Sequence, residues 1–238
     1  MKTIKYLFKS FKTQMFKALL SILGGYGVKL LWRLRGKSYH AEKMSDAYKK
    51  MYDYLATICI AEKPENVIEY GCGYGYLLKE IFKKNTGMGS PSVKYFGIDY
   101  SNEQIVNAKK YFSDATFKTA DITKRVTDFI DNQFDVVIGV GVLMYIKENK
   151  ISFAMDELYR ICKKKIFVIE YYYKYLNDQK KEAYVRAKSE DGRCVYDYEK
   201  LLAEAGFRNI KTVHMDLFVN KTINVNDEMA QTLVIAEK

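Results

Sequence analysis

The chain has 238 residues, enough to bury one good core and carry an appendage. Its 48% hydrophobic and 15% aromatic content exclude a disordered chain outside the ends. The net charge of +10 sits almost wholly in residues 1–37, which hold nine basic and no acidic residues; thirty basic and twenty-nine acidic residues remain for the rest.

The first segment, residues 1–40, reads as a basic amphipathic arm. Ile4, Leu7, Phe8, Phe11, Met15, Ala18, Leu19 and Ile22 recur at helical spacing, while Lys2, Lys5, Lys9 and Lys12 mostly face away. Gly24, Gly25 and Gly27 break the helix, and Trp32 follows among basic residues. No run reaches transmembrane length, and the apolar stretch is too short and glycine-interrupted for a signal peptide. Three uses fit the arm: docking on an anionic membrane surface through residues 1–23, a lid on its own domain, or nucleic-acid contact. Evenly spread lysines beside a Phe/Leu/Ile stripe favour the membrane and disfavour nucleic acid, which would want arginine and exposed stacking rings.

From residue 41 to 238 the pattern is that of one catalytic domain. A helix is predicted over 42–60 and a strand over 66–70. Further strands are predicted over 94–98, 115–118, 134–139 and 165–170, with helices between them. Near-continuous apolar strands alternating with helices predict an α/β fold, a Rossmann-like, mostly parallel sheet with helices on both faces. Helices are also predicted over 175–187 and 198–205. The runs 209–218 and 231–236 can close the sheet as an antiparallel hairpin, which makes seven strands.

The densest signal is Val67-Ile68-Glu69-Tyr70-Gly71-Cys72-Gly73-Tyr74-Gly75-Tyr76. A β-branched run leads into a glycine-rich turn and then into a helix start, a place suited to a nucleotide-like ligand. Asp99, at the tip of the following strand, can accept hydrogen bonds from both hydroxyls of a ribose. Ser101 or Asn102 is better placed to cap the next helix, which leaves Asp99 for the ligand. The glycines are spaced G-x-G-x-G behind a carboxylate. Glu69 would repel a pyrophosphate but attract an amino group.

With these residues the chain resembles the class I S-adenosylmethionine-dependent methyltransferases, and the resemblance runs in order from residue 41 to the end. Ala115 to Ile122 resembles the third strand and its following acid, Gln133 to Leu143 the fourth strand and loop, Ile166 to Glu170 the fifth strand, and Ala205-Gly206-Phe207 the end of a helix before the sixth. The resemblance implies S-adenosylmethionine as cofactor, held by Glu69, Gly71, Cys72, Gly73, Asp99, Tyr100, Asp121, Ile122 and Gly139. Asp121 would lie near the adenine amino group.

Methyl transfer from a sulfonium needs alignment and dryness more than acid–base chemistry. Gly139-Val140-Gly141-Val142 contains no acid, so a magnesium-assisted arrangement is not expected and no metal site is predicted. The same loop lacks the Asn/Asp/Ser-Pro-Pro-Tyr/Phe pattern of amino-methylating nucleic-acid enzymes, and the chain has no Pro-Cys pair. Candidate catalytic residues are His40, where arm and domain meet, Tyr145 after the fourth strand, and Tyr172 in the cluster 171–173 after the fifth. The other histidine, His214, reads as structural. Packing is an equal reading for each tyrosine. Glu170-Tyr171-Tyr172 also resembles methyltransferase-like proteins of cell-surface glycan assembly.

The four cysteines, Cys59, Cys72, Cys162 and Cys194, form no C-x-x-C pair. Neither a zinc site nor a disulfide framework is expected, which suits a reducing, cytoplasmic compartment, with peripheral membrane attachment if the arm docks. The expected reaction is metal-independent methylation of an oxygen, or nitrogen, on a small molecule or a cell-surface glycan precursor. Two alternatives stay open: a membrane lipid or quinone acceptor, and a non-catalytic protein that binds S-adenosylmethionine.

Overall fold

In the computed structural model, residues 46–87, 93–172, 182, 193–215 and 232–238 are described. The arm, His40 and all of the predicted helix over 175–187 but residue 182 lie outside them. The elements follow in the order α1 (Asp46–Ala61), β1 (Asn66–Tyr70), α2 (Tyr76–Gly87), β2 (Lys94–Asp99), α3 (Asn102–Tyr111), β3 (Ala115–Thr119) and β4 (Phe134–Val140). A 3-10 turn (Leu143–Tyr145), α4 (Glu148–Ile161), β5 (Cys162–Glu170), α5 (Tyr198–Glu204), β6 (Arg208–His214) and β7 (Thr232–Glu237) complete them.

The seven strands form one sheet in the order β3-β2-β1-β4-β5-β7-β6. β1 to β5 pair in parallel, while β7 runs antiparallel to both β5 and β6. The strands divide their side chains between two cores, as the two-residue period of a pleated strand requires. Ile68, Val137, Ile166 and Val168 join α4 and α5 on one face. Val67, Val136, Ile138, Phe167 and Ile169 join α1, α2 and α3 on the other. Both faces are covered, which is why the central strands read as near-continuous apolar runs.

The sequence-based bounds hold within a few residues, with two informative differences. β5 begins at Cys162 rather than 165, because Lys163 and Lys164 are exposed and reach the buried Asp135 side chain at 3.4 and 3.0 Å. α2 runs to Gly87, beyond the helix-forming segment Leu77 to Lys84 that the sequence suggests. Among the described residues, no helix is long and apolar enough to cross a membrane.

Candidate functional site

A cavity of about 580 Å³ opens at the C-terminal ends of β1 to β4. Its size suits a ligand with the bulk of a nucleoside. Its place follows from topology: β1 has β2 on one side and β4 on the other, so the connections leaving these strands diverge and open a crevice.

The glycine loop after β1 forms its floor. Gly71 has a φ of +66°, and a Cβ there would lie 2.2 Å from Cγ2 of Val142. A bare backbone therefore lets this loop meet the loop after β4. Cys72 N donates to Ile98 O at 3.0 Å and Gly75 N to Cys72 O at 2.8 Å, which fixes the turn. The Cys72 thiol is pushed up by burial, then by Glu69 and Asp99, so it stays protonated and is no nucleophile.

Three acids stand on or just past three successive strands. Glu69 is only 3% exposed, and its Oε2 has no hydrogen-bond partner among the described residues. Burial, then the nearby Asp99 charge, raises its carboxyl well above the usual range, against the pull of the Leu78 amide. Asp99 accepts from Gly73 N at 3.0 Å and Ser101 N at 2.8 Å. Burial raises its pKa while these amides oppose the rise. Ser101 is the helix cap, accepting from Gln104 N at 3.3 Å. Asp99 is thus free of capping, yet it also ties the glycine loop to β2. Asp121 accepts from the Thr123 amide and hydroxyl at 3.0 and 2.7 Å.

Of the residues singled out in the sequence, Glu69, Gly71, Cys72, Gly73, Asp99, Tyr100, Asp121, Ile122 and Tyr145 line this cavity. Gly139 does not. It pairs across strands with Tyr70, and a Cβ there would lie 1.9 Å from Cζ of that ring, so its smallness serves packing. Tyr172 is absent from the lining as well. It is buried, its hydroxyl donates to Asp197 at 3.0 Å and Glu199 at 2.9 Å, and its ring packs on Tyr198. These carboxylates, after burial, push its pKa up, so it is no general base. Tyr171 lies under the Arg193 guanidinium, 5.0 Å from its ring centre, also outside the cavity. Among the described residues, no cluster of three or more His, Cys, Asp or Glu could hold a metal ion.

Sequence reasoning missed several lining residues. Tyr52 reaches in from α1 and Tyr76 from the start of α2. Gln104 is 1% exposed, and neither its amide oxygen nor its nitrogen has a partner among the described residues. Its signal was its place three residues after the cap, on the inner face of α3. Lys147, Asn149 and Lys150 line the rim from the start of α4.

A model of a methyltransferase domain matches residues 61–217, more than half of the chain. The chain belongs to that family. No curated protein matches it by sequence. Solved structures share the fold. Human N-acetylserotonin methyltransferase, in complex with SAM, is 20% identical with a TM-score of 0.54, covering 90% of this chain and 54% of the other. Magnesium protoporphyrin IX methyltransferase from Synechocystis PCC 6803, with bound SAH, is 16% identical with a TM-score of 0.57, covering 81% and 84%. The [4+2]-cyclase SpnF is 16% identical with a TM-score of 0.56, covering 78% and 80%. The chain thus spans about half the length of the human enzyme, and its fold is shared with a protein named for different chemistry.

Proposed function

We propose that this methyltransferase uses S-adenosylmethionine to methylate an oxygen of a small-molecule acceptor, without a metal. One observation carries the cofactor: the unpartnered Glu69 oxygen shares a cavity with Asp99 and Asp121, the acids that follow β2 and β3. The residues present fit the molecule. Glu69 suits its ammonium, Asp99 its ribose hydroxyls, and Asp121 with Ile122 and Tyr100 its adenine. Gln104, with a donor and an acceptor both unspent, adds a second polar contact within the cradle.

When bound, S-adenosylmethionine supplies a methyl carbon activated by a sulfonium leaving group. The protein supplies alignment and exclusion of water. Gly71 and Val142 close the floor, and Tyr145 stands beside the cavity on a turn that Glu170 holds in place. Val142 N and Leu143 N donate to Glu170 Oε1 at 2.7 and 2.6 Å. The oxygen acceptor is favoured because the loop after β4 lacks the Pro-Pro-aromatic pattern of amino-methylating nucleic-acid enzymes. The glycan-precursor reading draws little from the sequence 170–172, since Glu170 and Tyr172 both turn inward. A lipid or quinone acceptor draws on the basic arm instead.

Titration of the full chain with S-adenosylhomocysteine tests the cofactor, with micromolar affinity expected. Transfer of labelled methyl from the cofactor into a cell extract tests the enzyme. Binding without any transfer would leave the non-catalytic reading. For the arm, sedimentation with anionic vesicles, with and without residues 1–23, is expected to show salt-sensitive binding of the full chain only. Equal pelleting of both would refute docking.

A further inference from the structure

Resting on the cofactor reading above, we propose that the methyl acceptor is an anion, a carboxylate- or phosphate-bearing small molecule held at the cavity rim by Lys147 and Lys150. The cavity lining contains six charged residues, and they are segregated. The acids Glu69, Asp99 and Asp121 follow β1, β2 and β3, while Lys124, Lys147 and Lys150 stand at the rim. The acids match the ammonium, ribose and adenine of the cofactor. Its own anion, the methionine carboxylate, shares a carbon with the ammonium assigned to Glu69, which places it by β1 and the glycine loop and not on α4.

Among the described residues, the lysines have no acidic partner. None of the three takes part in an ion pair among the described residues, whereas Lys83, Lys164 and Lys165 each sit within 3.0 Å of a carboxylate. All three rim lysines are exposed. Lys147 and Lys150 are three residues apart at the start of α4, so both ammonium groups share one side of its first turn. Lys147 occupies the cap position without a side-chain capping bond, and its carbonyl accepts from Lys150 N at 2.8 Å, which closes the first turn.

Position assigns the pair to the acceptor. α4 follows β4, which lies on the far side of β1 from β2 and β3. The strand-tip acids therefore mark the cofactor half of the crevice. Tyr145, Lys147, Asn149 and Lys150 mark the other half. Lys124 follows β3, at the nucleoside end, and is not part of the acceptor site. An anion entering this half would meet two unneutralised ammonium groups and the Asn149 amide at the edge of a low-dielectric cavity, where attraction is stronger than in open water.

The test uses the full chain and its double variant Lys147→Glu with Lys150→Glu. Protein loaded with S-adenosylhomocysteine is titrated with phenyl phosphate, benzoate and phenol. Wild type is expected to bind one or both anions at least tenfold more tightly than phenol, and the variant to lose that preference while keeping its S-adenosylhomocysteine affinity. The stronger of the two anions distinguishes phosphate from carboxylate chemistry. In a second arm, a cell extract is split by anion exchange before reaction with labelled cofactor. Acceptor activity is expected in the retained fractions, with at least a tenfold drop for the variant. No preference for anions over phenol, labelling confined to the unretained fraction, or loss of S-adenosylhomocysteine affinity in the variant, which would give the lysines to the cofactor's carboxylate, would overturn the proposal. Anion preference without labelling of any fraction would uphold the anion site and overturn the methyltransferase activity instead.

Discussion

Glu69 ends its approach to the cavity in β1 with a bare oxygen, while Glu170 ends β5 with its carboxylate filled by backbone amides. Both are acids near the C-terminal end of a parallel strand, and both are buried. Their roles differ because of what stands opposite. Glu69 faces the cavity and Asp99. Glu170 faces the turn after β4 and collects Val142, Leu143 and Met144. An acid at a strand tip that turns from the cavity into a row of amides, as Glu170 does, serves the fold, while one that keeps an open oxygen toward the cavity, as Glu69 does, points to a ligand.

The packing side of this contrast breaks most severely at Gly139. Its cross-strand neighbour Tyr70 lays a fully buried ring over it. Gly139→Ala places a methyl 1.9 Å from that ring, where neither partner has room to move. The expected cost is about 4 kcal/mol or more, read as loss of cooperative unfolding or a collapse of Tm. A variant that melts like wild type but loses S-adenosylhomocysteine would return Gly139 to the binding site.

Glu170 gives the next largest effect. Burial raises its carboxyl to about 7, against the pull of three amides. A folded pKa above the unfolded value means that the folded state holds a proton the unfolded state releases. Stability therefore falls as pH rises from about 4.5 to about 7. At 1.36 kcal/mol per pH unit the full swing is about 3 kcal/mol. Glu170→Gln keeps an acceptor for the two short amide bonds and removes the titration. Its Tm is expected to stay flatter than that of wild type between pH 5 and 8. Superimposable pH profiles would remove Glu170 from this account.

Asp99 stands between the two extremes, since it binds backbone and faces the cavity. Asp99→Ala removes the acceptor for two ribose hydroxyls, and S-adenosylhomocysteine affinity is expected to fall ten- to hundredfold, about 1.4–2.8 kcal/mol. It also frees the Gly73 and Ser101 amides. A modest loss of Tm is expected alongside, and Asp99→Asn separates the two by retaining one acceptor. Unchanged affinity in a folded variant would sink the ribose assignment.

The sheet was legible because β1 and β4 are mostly apolar runs bounded by turn residues, and Glu69, Asp99 and Asp121 were legible as acids at or just past the ends of such runs. What was not legible depends on partners distant in the chain. Gly139 looks like a ligand glycine until Tyr70 is seen opposite. Tyr172 looks like a tyrosine beside a strand tip until Asp197 and Glu199 claim its hydroxyl. Gln104 and Lys147 carry no motif. Their roles appear only when α3 and α4 bring them to one cavity. The start of β5 was hidden because Lys163 and Lys164 interrupt its apolar run to neutralise Asp135.

The smallest expected effect is the most direct test of the open carboxylate. Glu69→Gln keeps an oxygen for the Leu78 amide and nearly the same volume, so Tm is expected to hold at neutral pH or rise, because a buried titrating acid has been removed. Affinity for S-adenosylhomocysteine is expected to fall about tenfold, about 1.4 kcal/mol, since the ligand ammonium then meets a neutral amide. The sign of the pH effect separates the two roles further. Burial and Asp99 hold the free Glu69 carboxyl above its usual range, and an ammonium favours the ionised form. Binding therefore expels a proton from wild type, and its affinity rises with pH until Glu69 is ionised in the free protein. Calorimetry in buffers of different ionisation enthalpy is expected to show that release in wild type and to lose it in Glu69→Gln. A variant with collapsed Tm, normal affinity and unaltered proton release would place Glu69 with Glu170, as an acid that holds the fold.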